Sequence, residues 1–400
     1  MKLVTLDSVL TFHRGITFKP DDKVEVGSGN SVVCLRTKNI QKELDERDLL
    51  AVPTTFVKRD ELYVNQGDIL ISTANSWELV GKCVRVVKTQ YKSTIGGFIS
   101  MLRPKTGLID PDYLFRFLSM DVTQDRIRHL GKKTTNISNL DRVRFLQLEI
   151  PLPPLETQKQ IAAVLEKADQ LRKDCQQMEQ ELNSLAQSVF IDMFGDPVTN
   201  PKGWETESLD TIAKVQIGPF GSQLHKEDYI ADGIPLINPT HIVKGQIVPD
   251  MNLTLTPEKF ETLPNYHLQT GDIIMGRRGE MGRTALIDEC SQGWFCGTGS
   301  LYIRITSQLV QPAFLNSVMS CSSMKTWLEE QSLGATMPNL NKKILHSIQV
   351  PIPTTAVQKN YALALDVLCK QRQEQKEHIK ELDGLFNALM QKAFKGELNL

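Results

Sequence analysis

The stretch EIPLPPLETQKQIAAVLEKADQLRK, Glu149–Lys173, decides how the rest of the chain is read. It opens like a strand, meets Pro151, Pro153 and Pro154, and then runs from Leu155 to Phe194 without a proline or glycine. Proline cannot donate to a β-ladder, and it restricts itself and its predecessor to extended backbone. The spacing therefore predicts a strand end, a hinge-like junction and a long helix. Along that helix Ile161, Val164, Ala168, Leu171, Cys175, Met178, Leu182, Leu185 and Val189 alternate by three and four. That is the a/d pattern of a coiled coil, and about 40 residues at about 1.5 Å each make a rod of about 60 Å.

The same event recurs at QVPIPTTAVQKNYALALDVLCK, Gln349–Lys370. Pro151, Pro153, Gln158 and Lys159 match Pro351, Pro353, Gln358 and Lys359 at an offset of 200. Asn139-Leu140 matches Asn339-Leu340 at the same offset. Gly67-Asp68 matches Gly271-Asp272, Gly81-Lys82 matches Gly282-Arg283, and Arg103 matches Arg304. Pro111 and Tyr113 match Pro312 and Phe314. A fixed order of matches at nearly one offset means that one unit occurs twice.

Each unit begins with short β-type runs broken by Gly, Pro and Asn, such as DILIS and LQLEIPLP in the first and LYIRI and SIQVPIP in the second. Helical stretches sit among them. The expectation is an α+β fold with two tandem strand-rich domains and two long helices. The divisions expected are 1–154, a first globule; 155–195, a central helix; 196–354, a second globule; and 355–400, a C-terminal helix. The second rod carries Tyr361, Leu365, Leu368, Ile379, Leu382, Phe386 and Leu389, with a polar middle, KQRQEQKEH. A helix with one narrow apolar stripe needs a partner in water. Pairing the two rods antiparallel within the chain, about a pseudo-two-fold axis, is the most economical solution; packing each rod on its own globule or on another chain is the alternative.

Composition sets limits. Of 400 residues, 40% are hydrophobic and 23% charged, ordinary for a soluble chain. No apolar run approaches the roughly 18 residues of a membrane helix, and MKLVTLDSVL lacks the apolar core and cleavage site of a signal peptide. The seven cysteines form no C-x-x-C pair, so neither a zinc site nor a disulfide frame is indicated. A cytoplasmic protein with reduced thiols is expected. The formal net charge of −1 argues against a sequence-blind nucleic-acid binder. It hides a division: +5 over residues 1–150, −3 over 151–195, −4 over 196–350 and +1 over 351–400.

No catalytic set emerges. The phosphate-loop, H-E-x-x-H and G-x-S-x-G patterns do not occur. Asn238-Pro239-Thr240 lacks the second proline and the aromatic that an adenine methyltransferase loop needs. Glu374-Gln375-Lys376 resembles half of a nuclease motif but lies mid-helix on a charged face. The histidines show no ligand spacing. No catalytic residue, metal or cofactor is assigned, and the chain reads as a binder or scaffold.

Polar loops at equivalent places have the chemistry to read nucleic acid. MGRRGEMGRTAL places Arg277, Arg278 and Arg283 among glycines directly after a strand. Arginine takes guanine bidentately or pairs with phosphate. The matching loop ISTANSWELVGKC offers Asn75, Ser76, Trp77 and Lys82; asparagine reads adenine, and tryptophan stacks or wedges. Arg126, Arg128, Lys132 and Lys133 form a candidate phosphate patch. IGPFGSQLHKEDY presents Ser222, Gln223, His225 and Lys226; the equivalent HRGITFKPDD presents Arg14 and Lys19. Framework signals are kept between the copies while polar loops differ, as expected of two readers on one frame.

These residues give a family likeness. The chain resembles the specificity subunit of type I restriction–modification systems over nearly its whole length. The likeness is carried by Ile150, Pro151, Leu152, Pro153, Pro154, Leu155, Gln158 and Ile161, by VFIDMFGDP leading into NPKGWE, and by the closing LMQKAFKGELNL. The second junction departs from the pattern at Thr354-Thr355 and Tyr361. The resemblance implies that each globule reads one half of a split site on double-stranded DNA. The helices then set the gap between half-sites. Pro153, Leu155, Gln158, Ile161 and Gln358 would help dock two methyltransferase subunits carrying S-adenosylmethionine and adenine N6 methylation. ATP-dependent motor–nuclease subunits complete such a complex, with this chain monomeric within it, without an active site and away from membranes. A DNA-recognition adaptor of another phage-defence complex and a protein-only scaffold remain open on the residues alone.

Overall fold

The computed structural model describes residues 1–133, 137–279, 281–332 and 339–398, with Lys132 and Lys133 described by backbone alone. The chain divides into two compact units. Unit 1 is Met1–Gln176 with His378–Leu400; unit 2 is Gln177–Glu377. Each unit is thus a globule together with parts of both long helices, Leu155–Phe194 and Thr355–Lys395.

Unit 1 is built on a four-stranded antiparallel sheet in the order Leu10–Arg14, Ile99–Pro104, Ile69–Ser72, Cys83–Arg85. A three-stranded sheet, Ala51–Pro53, Ser31–Leu35 and Ser93–Ile95, packs beside it, its last pair parallel. Helices Pro111–Ser119 and Asp121–His129 close the other face. The first of these starts where it does because Pro111 suits the first turn and the Asp110 carboxylate accepts from the backbone amides of Asp112 and Tyr113, both at 3.0 Å. Unit 2 repeats the plan. Its main sheet runs Ala213–Ile217, Ser300–Ile305, Ile273–Gly276, Thr284–Leu286. Ile234–Ile237 lies parallel to Phe295–Cys296, as Ser31–Leu35 does to Ser93–Ile95. The α+β class and the tandem repeat expected from the sequence are what the structure has.

The proline junction has a structural cause. Glu149–Pro151 pairs antiparallel with the start of the chain, Leu3–Thr5, and Leu152 donates to the Lys2 carbonyl at 2.8 Å. In unit 2, Gln349–Pro351 pairs with Thr206–Ser208, and Ile352 donates to the Glu205 carbonyl at 2.7 Å. The two-stranded ribbon ends at the prolines, and the helix follows at once.

The long helices pack together and run antiparallel. In unit 1, Ile161 and Leu165 share a core with Met390, Ala393 and Phe394, and further along the Arg172 Nε donates to Asp383 at 2.7 Å. In unit 2, Phe190 and Phe194 lie 5.7 and 5.2 Å from the Tyr361 ring, and Arg372 donates to Asn183 at 3.0 Å. The expected a/d stripe is only half buried. Ile161, Ala168, Cys175, Leu182 and Val189 face inward, whereas Val164, Leu171, Met178 and Leu185 are exposed. The reason is competition. Ile161, Ala162 and Leu165 share one buried cluster with Tyr113 and Phe117 of the globule and with Met390, Ala393 and Phe394 of the partner helix, so both neighbours decide which face is buried at this end.

Candidate nucleic-acid interface

In unit 2 the sequence-selected loops meet at one end of the main sheet. Ile217, Gly276 and Ser300 end or begin three adjacent strands there. A Cβ on Gly218 would lie 2.0 Å from the Gly297 carbonyl oxygen, so that loop crossing requires glycine. The two arginines of the Arg-Gly loop part company. Arg277 is 5% exposed, and its Nε and Nη2 donate to the Thr298 carbonyl at 3.3 and 3.2 Å. Burial, then the neighbouring Arg278, pulls its pKa below the ordinary arginine value. Arg277 is thus enclosed and braces the Gly297–Gly299 turn. Arg278 is exposed beside it. Arg283 is half-buried, with one Nη1 donating to the Ile242 carbonyl at 3.4 Å. Ser222, His225 and Lys226 are exposed on the loop that follows Gly218, and Gln223 is braced by the Tyr266 hydroxyl at 3.2 Å.

Unit 1 assembles the equivalent set. A Cβ on Gly15 would lie 2.1 Å from the Gly96 carbonyl oxygen, the counterpart of the Gly218 crossing. Arg14 is exposed at the end of its strand, and Lys19 is exposed on the loop beyond. Asn75 is half-buried; its Oδ1 accepts from the Ser76 amide at 2.9 Å. Lys82 reaches Gln41 at 2.9 Å. The half-buried Trp77 is engaged within the unit: its ring meets His129 edge-on at 5.7 Å and carries the Arg128 guanidinium at 5.6 Å. Ala74–Asn75 pairs with Ser138–Asn139, which pairs with Lys132–Lys133, so the backbone brings that lysine strand to the same edge. The side chains of Lys132 and Lys133 lie outside the described residues. Two residues that charge and spacing did not point to also stand there, Phe98 and Phe220. Their signal was a large aromatic set among glycines, in Gly96-Gly97-Phe98 and Gly218-Pro219-Phe220-Gly221.

The type I restriction modification DNA specificity domain model matches the chain twice, over residues 1–184 and 201–392. The chain belongs to that family. A putative type I restriction enzyme MjaX specificity subunit of Methanocaldococcus jannaschii is 27% identical, over 79% of this chain and 75% of that one. The MjaVIII specificity subunit of the same organism is 24% identical over 93% of this chain and 94% of its own. A chain of a solved type I restriction–modification system superposes with a TM-score of 0.63 over 99% of this chain and 98% of that chain, at 16% identity. This is a DNA sequence-specificity subunit of the type I restriction–modification class.

The junction residues of this specificity subunit serve the fold. Gln158 is buried; its Oε1 accepts from the Asp110 amide at 2.8 Å, and its Nε2 donates to the carbonyls of Pro153 at 2.9 Å and Leu108 at 3.2 Å. Gln358 makes the same three bonds, to Gln311, Pro353 and Leu309, each at 2.8 Å. Ile161 is buried as well, and Pro153 also has its surface covered, whereas Leu155 is half-buried. The side chains of Gln158, Ile161 and Gln358 are thus enclosed within their own units. A cleft of about 880 Å³ in unit 1 is lined by Arg85, Asp112, Arg116, Glu166, Asp169 and Arg172 among others. Several of its charges pair with one another, Arg85 with Asp112 and Arg116 with Glu166 and Asp169. Burial pushes the Cys34 and Cys83 thiols up to about 12, which makes them poor nucleophiles. Among the described residues no group of three or more His, Cys, Asp or Glu is arranged to hold a metal ion, and no helix is long and apolar enough to cross a membrane.

Proposed function

We propose that each unit reads one half of a split, asymmetric site on double-stranded DNA through the loops at the end of its main sheet. The observation that carries this reading is the contrast within the repeat. The loop crossings, the glutamine tether and the sheet order are the same in both units, while the side chains set on those loops differ. Residues 1–154 and 196–354 act as the two target recognition domains. The long helices, 155–195 and 355–400, act as spacers that fix the gap between half-sites. Successive major grooves on one face of DNA repeat about every 34 Å, and a helix of 40 residues at about 1.5 Å each is long enough to match that repeat. Arg278, Arg283, Ser222, His225 and Lys226 serve the second half-site; Arg14, Asn75, Ser76, Lys82, Lys132 and Lys133 serve the first. Trp77, engaged by His129 and Arg128, belongs to the same loop as Asn75, Ser76 and Lys82 of the first set.

The chain works in the cytoplasm, as one copy per complex, and brings no active site or cofactor of its own. Two methyltransferase subunits supply adenine N6 methylation, and motor–nuclease subunits supply ATP-dependent cleavage. The exposed Val164 and Leu171 of unit 1, seven residues apart on one helix, suit a helix of a methyltransferase subunit. Leu171, 52% exposed, tests this. Leu171→Asp is expected to cut co-purification with the methyltransferase at least tenfold while the melting temperature stays within a degree or two, about the scale of a surface change. Retained co-purification would move the dock elsewhere.

The function itself is tested by mapping adenine methylation in cells that express this chain with its methyltransferase, against cells with the methyltransferase alone. A split motif that appears only with this chain is the expected result; no motif from an assembled complex would overturn the reading. Arg278→Ala is expected to cost about 1–3 kcal/mol at the second half-site and to relax base choice there. Unchanged affinity and unchanged site choice would remove Arg278 from the readers.

A further inference from the structure

Phe98 and Phe220 are 66% and 69% exposed, the most exposed aromatic side chains among the described residues. Neither sits on a floppy loop. The Phe98 carbonyl accepts from the Thr73 amide at 3.0 Å, the Ala74 amide at 3.2 Å and the Thr73 hydroxyl at 3.2 Å. This ties it to the segment that carries Asn75. The Phe220 amide donates to the Gln223 side chain at 3.0 Å, and its carbonyl accepts from the Gln223 amide at 2.9 Å. Gln223 is held in turn by the Tyr266 hydroxyl. A fixed backbone that presents a phenyl ring to water has placed it for an encounter.

The repeat sharpens the point. Matching the strands puts Phe98 opposite Gly299 of the second copy and Phe220 opposite Thr17 of the first. In unit 1 the two loops concerned touch: a Cβ on Gly97 would lie 3.2 Å from the Thr17 methyl. In unit 2 they touch at Gly218 and Gly297. Each unit therefore presents one aromatic from the same loop crossing, supplied by the second loop in unit 1 and by the first loop in unit 2. The surroundings are polar and basic: Arg14 and Asn75 in one unit, His225, Lys226 and Arg278 in the other. A lone aromatic in such a setting fits a nucleic-acid duplex better than a protein partner, whose contact would call for an apolar patch.

We infer that Phe98 and Phe220 are wedges, one per half-site, which insert between adjacent base pairs and open a base step as each unit seats on DNA. The inference rests on the half-site reading above and adds residues and a DNA deformation to it. An inserted ring opens flexible pyrimidine–purine steps at least cost, so each wedge also favours such a step at positions the loops do not otherwise contact.

The test uses the assembled methyltransferase complex and a duplex carrying the mapped site. 2-Aminopurine is placed in turn at each purine of both half-sites except the adenine to be methylated. The expected result is a rise in fluorescence at one step in each half-site on binding. Phe98→Ala abolishes the rise in the first half-site alone and Phe220→Ala in the second alone, each with about a tenfold loss of affinity. Phe98→Leu and Phe220→Leu, which keep an apolar wedge, retain most of the signal. Variants that methylate the same motif with wild-type affinity and an unchanged fluorescence pattern overturn the wedge and leave the half-site reading standing. If the wild-type complex methylates no motif at all, the half-site reading falls and the wedge falls with it. Equal melting temperatures of variants and parent exclude misfolding as the cause of a lost signal.

Discussion

Asp272→Ala is expected to destabilise unit 2 by about 3 kcal/mol, the lower end of what breaking a buried ion pair costs. The Asp272 carboxylate is buried. It accepts from Arg304 Nε at 2.8 Å and Nη2 at 2.6 Å, and from the Gln269 amide at 2.8 Å. The bidentate bond raises the Arg304 pKa. Removing the carboxylate leaves a half-buried guanidinium whose remaining bond is to the His267 carbonyl at 3.0 Å, and a turn amide without its acceptor. Partial exposure of Arg304 lets water repair some of the loss, which is why the upper end of the range is not expected. Asp68 and Arg103 make the same pair in unit 1, at 2.8 and 2.7 Å, with the Asn65 amide as the third donor. Hydrogen exchange followed by mass spectrometry reads the effect by unit. Faster exchange in Ile273–Gly276 and Ser300–Ile305 is expected from Asp272→Ala, and in Ile69–Ser72 and Ile99–Pro104 from Asp68→Ala. The strand that begins after Asp272 ends at Gly276, next to Arg277, so the same variant should lose choice at the second half-site while the first is still read. Uniform loosening of both units, or none, would show that the pair is not what organises its sheet.

Both members of that pair were visible in the sequence as matched residues, Asp68 with Asp272 and Arg103 with Arg304, but not as partners. Their meeting depends on strand register: Ile69 lies opposite Leu102, and Ile273 opposite Ile303, so each pair is set one step further on. The same holds elsewhere. Prolines, glycines and apolar period are local signals, so the repeat, the two junctions and both long helices could be read directly. Which row of the central helix faces inward could not, because the globule and the partner helix compete for it and only the packed structure decides. At the candidate interface, a strand period of two already sets Arg277 and Arg278 on opposite sides. Both faces of that strand are apolar, with Ile273 and Met275 in one cluster and Ile274 in another, so the pattern could not say which arginine would be enclosed. Phe98 escaped notice for a related reason. A phenylalanine in a short apolar run reads as core, and only the folded structure shows that the loop turns it out.

Gln158→Leu is expected to cost about 3 kcal/mol or more, since three backbone groups lose their partner at about 1–3 kcal/mol each and the two carbonyls recover part through their second lone pairs. The side chain spans three pieces of chain: the residues before helix Pro111–Ser119, the proline junction and the first turn of the long helix. It therefore sets the angle at which the rod leaves the globule. Gln158→Glu separates geometry from charge. It keeps an acceptor for the Asp110 amide but turns an oxygen toward the Pro153 and Leu108 carbonyls, and should be at least as damaging as leucine. Gln358→Leu repeats the experiment in unit 2. Thermal unfolding, with limited proteolysis at the two junctions, measures the loss directly. The comparison with Leu171→Asp then decides what the junction glutamine does for assembly. If Gln158 touches a methyltransferase subunit, its leucine variant loses co-purification even where the junction stays protease-resistant. If it acts as the tether described above, co-purification falls only as far as the junction opens, whereas Leu171→Asp abolishes it in a fully folded chain. The enclosed position of Gln158, with every polar atom of its side chain already bonded inside the unit, favours the second outcome.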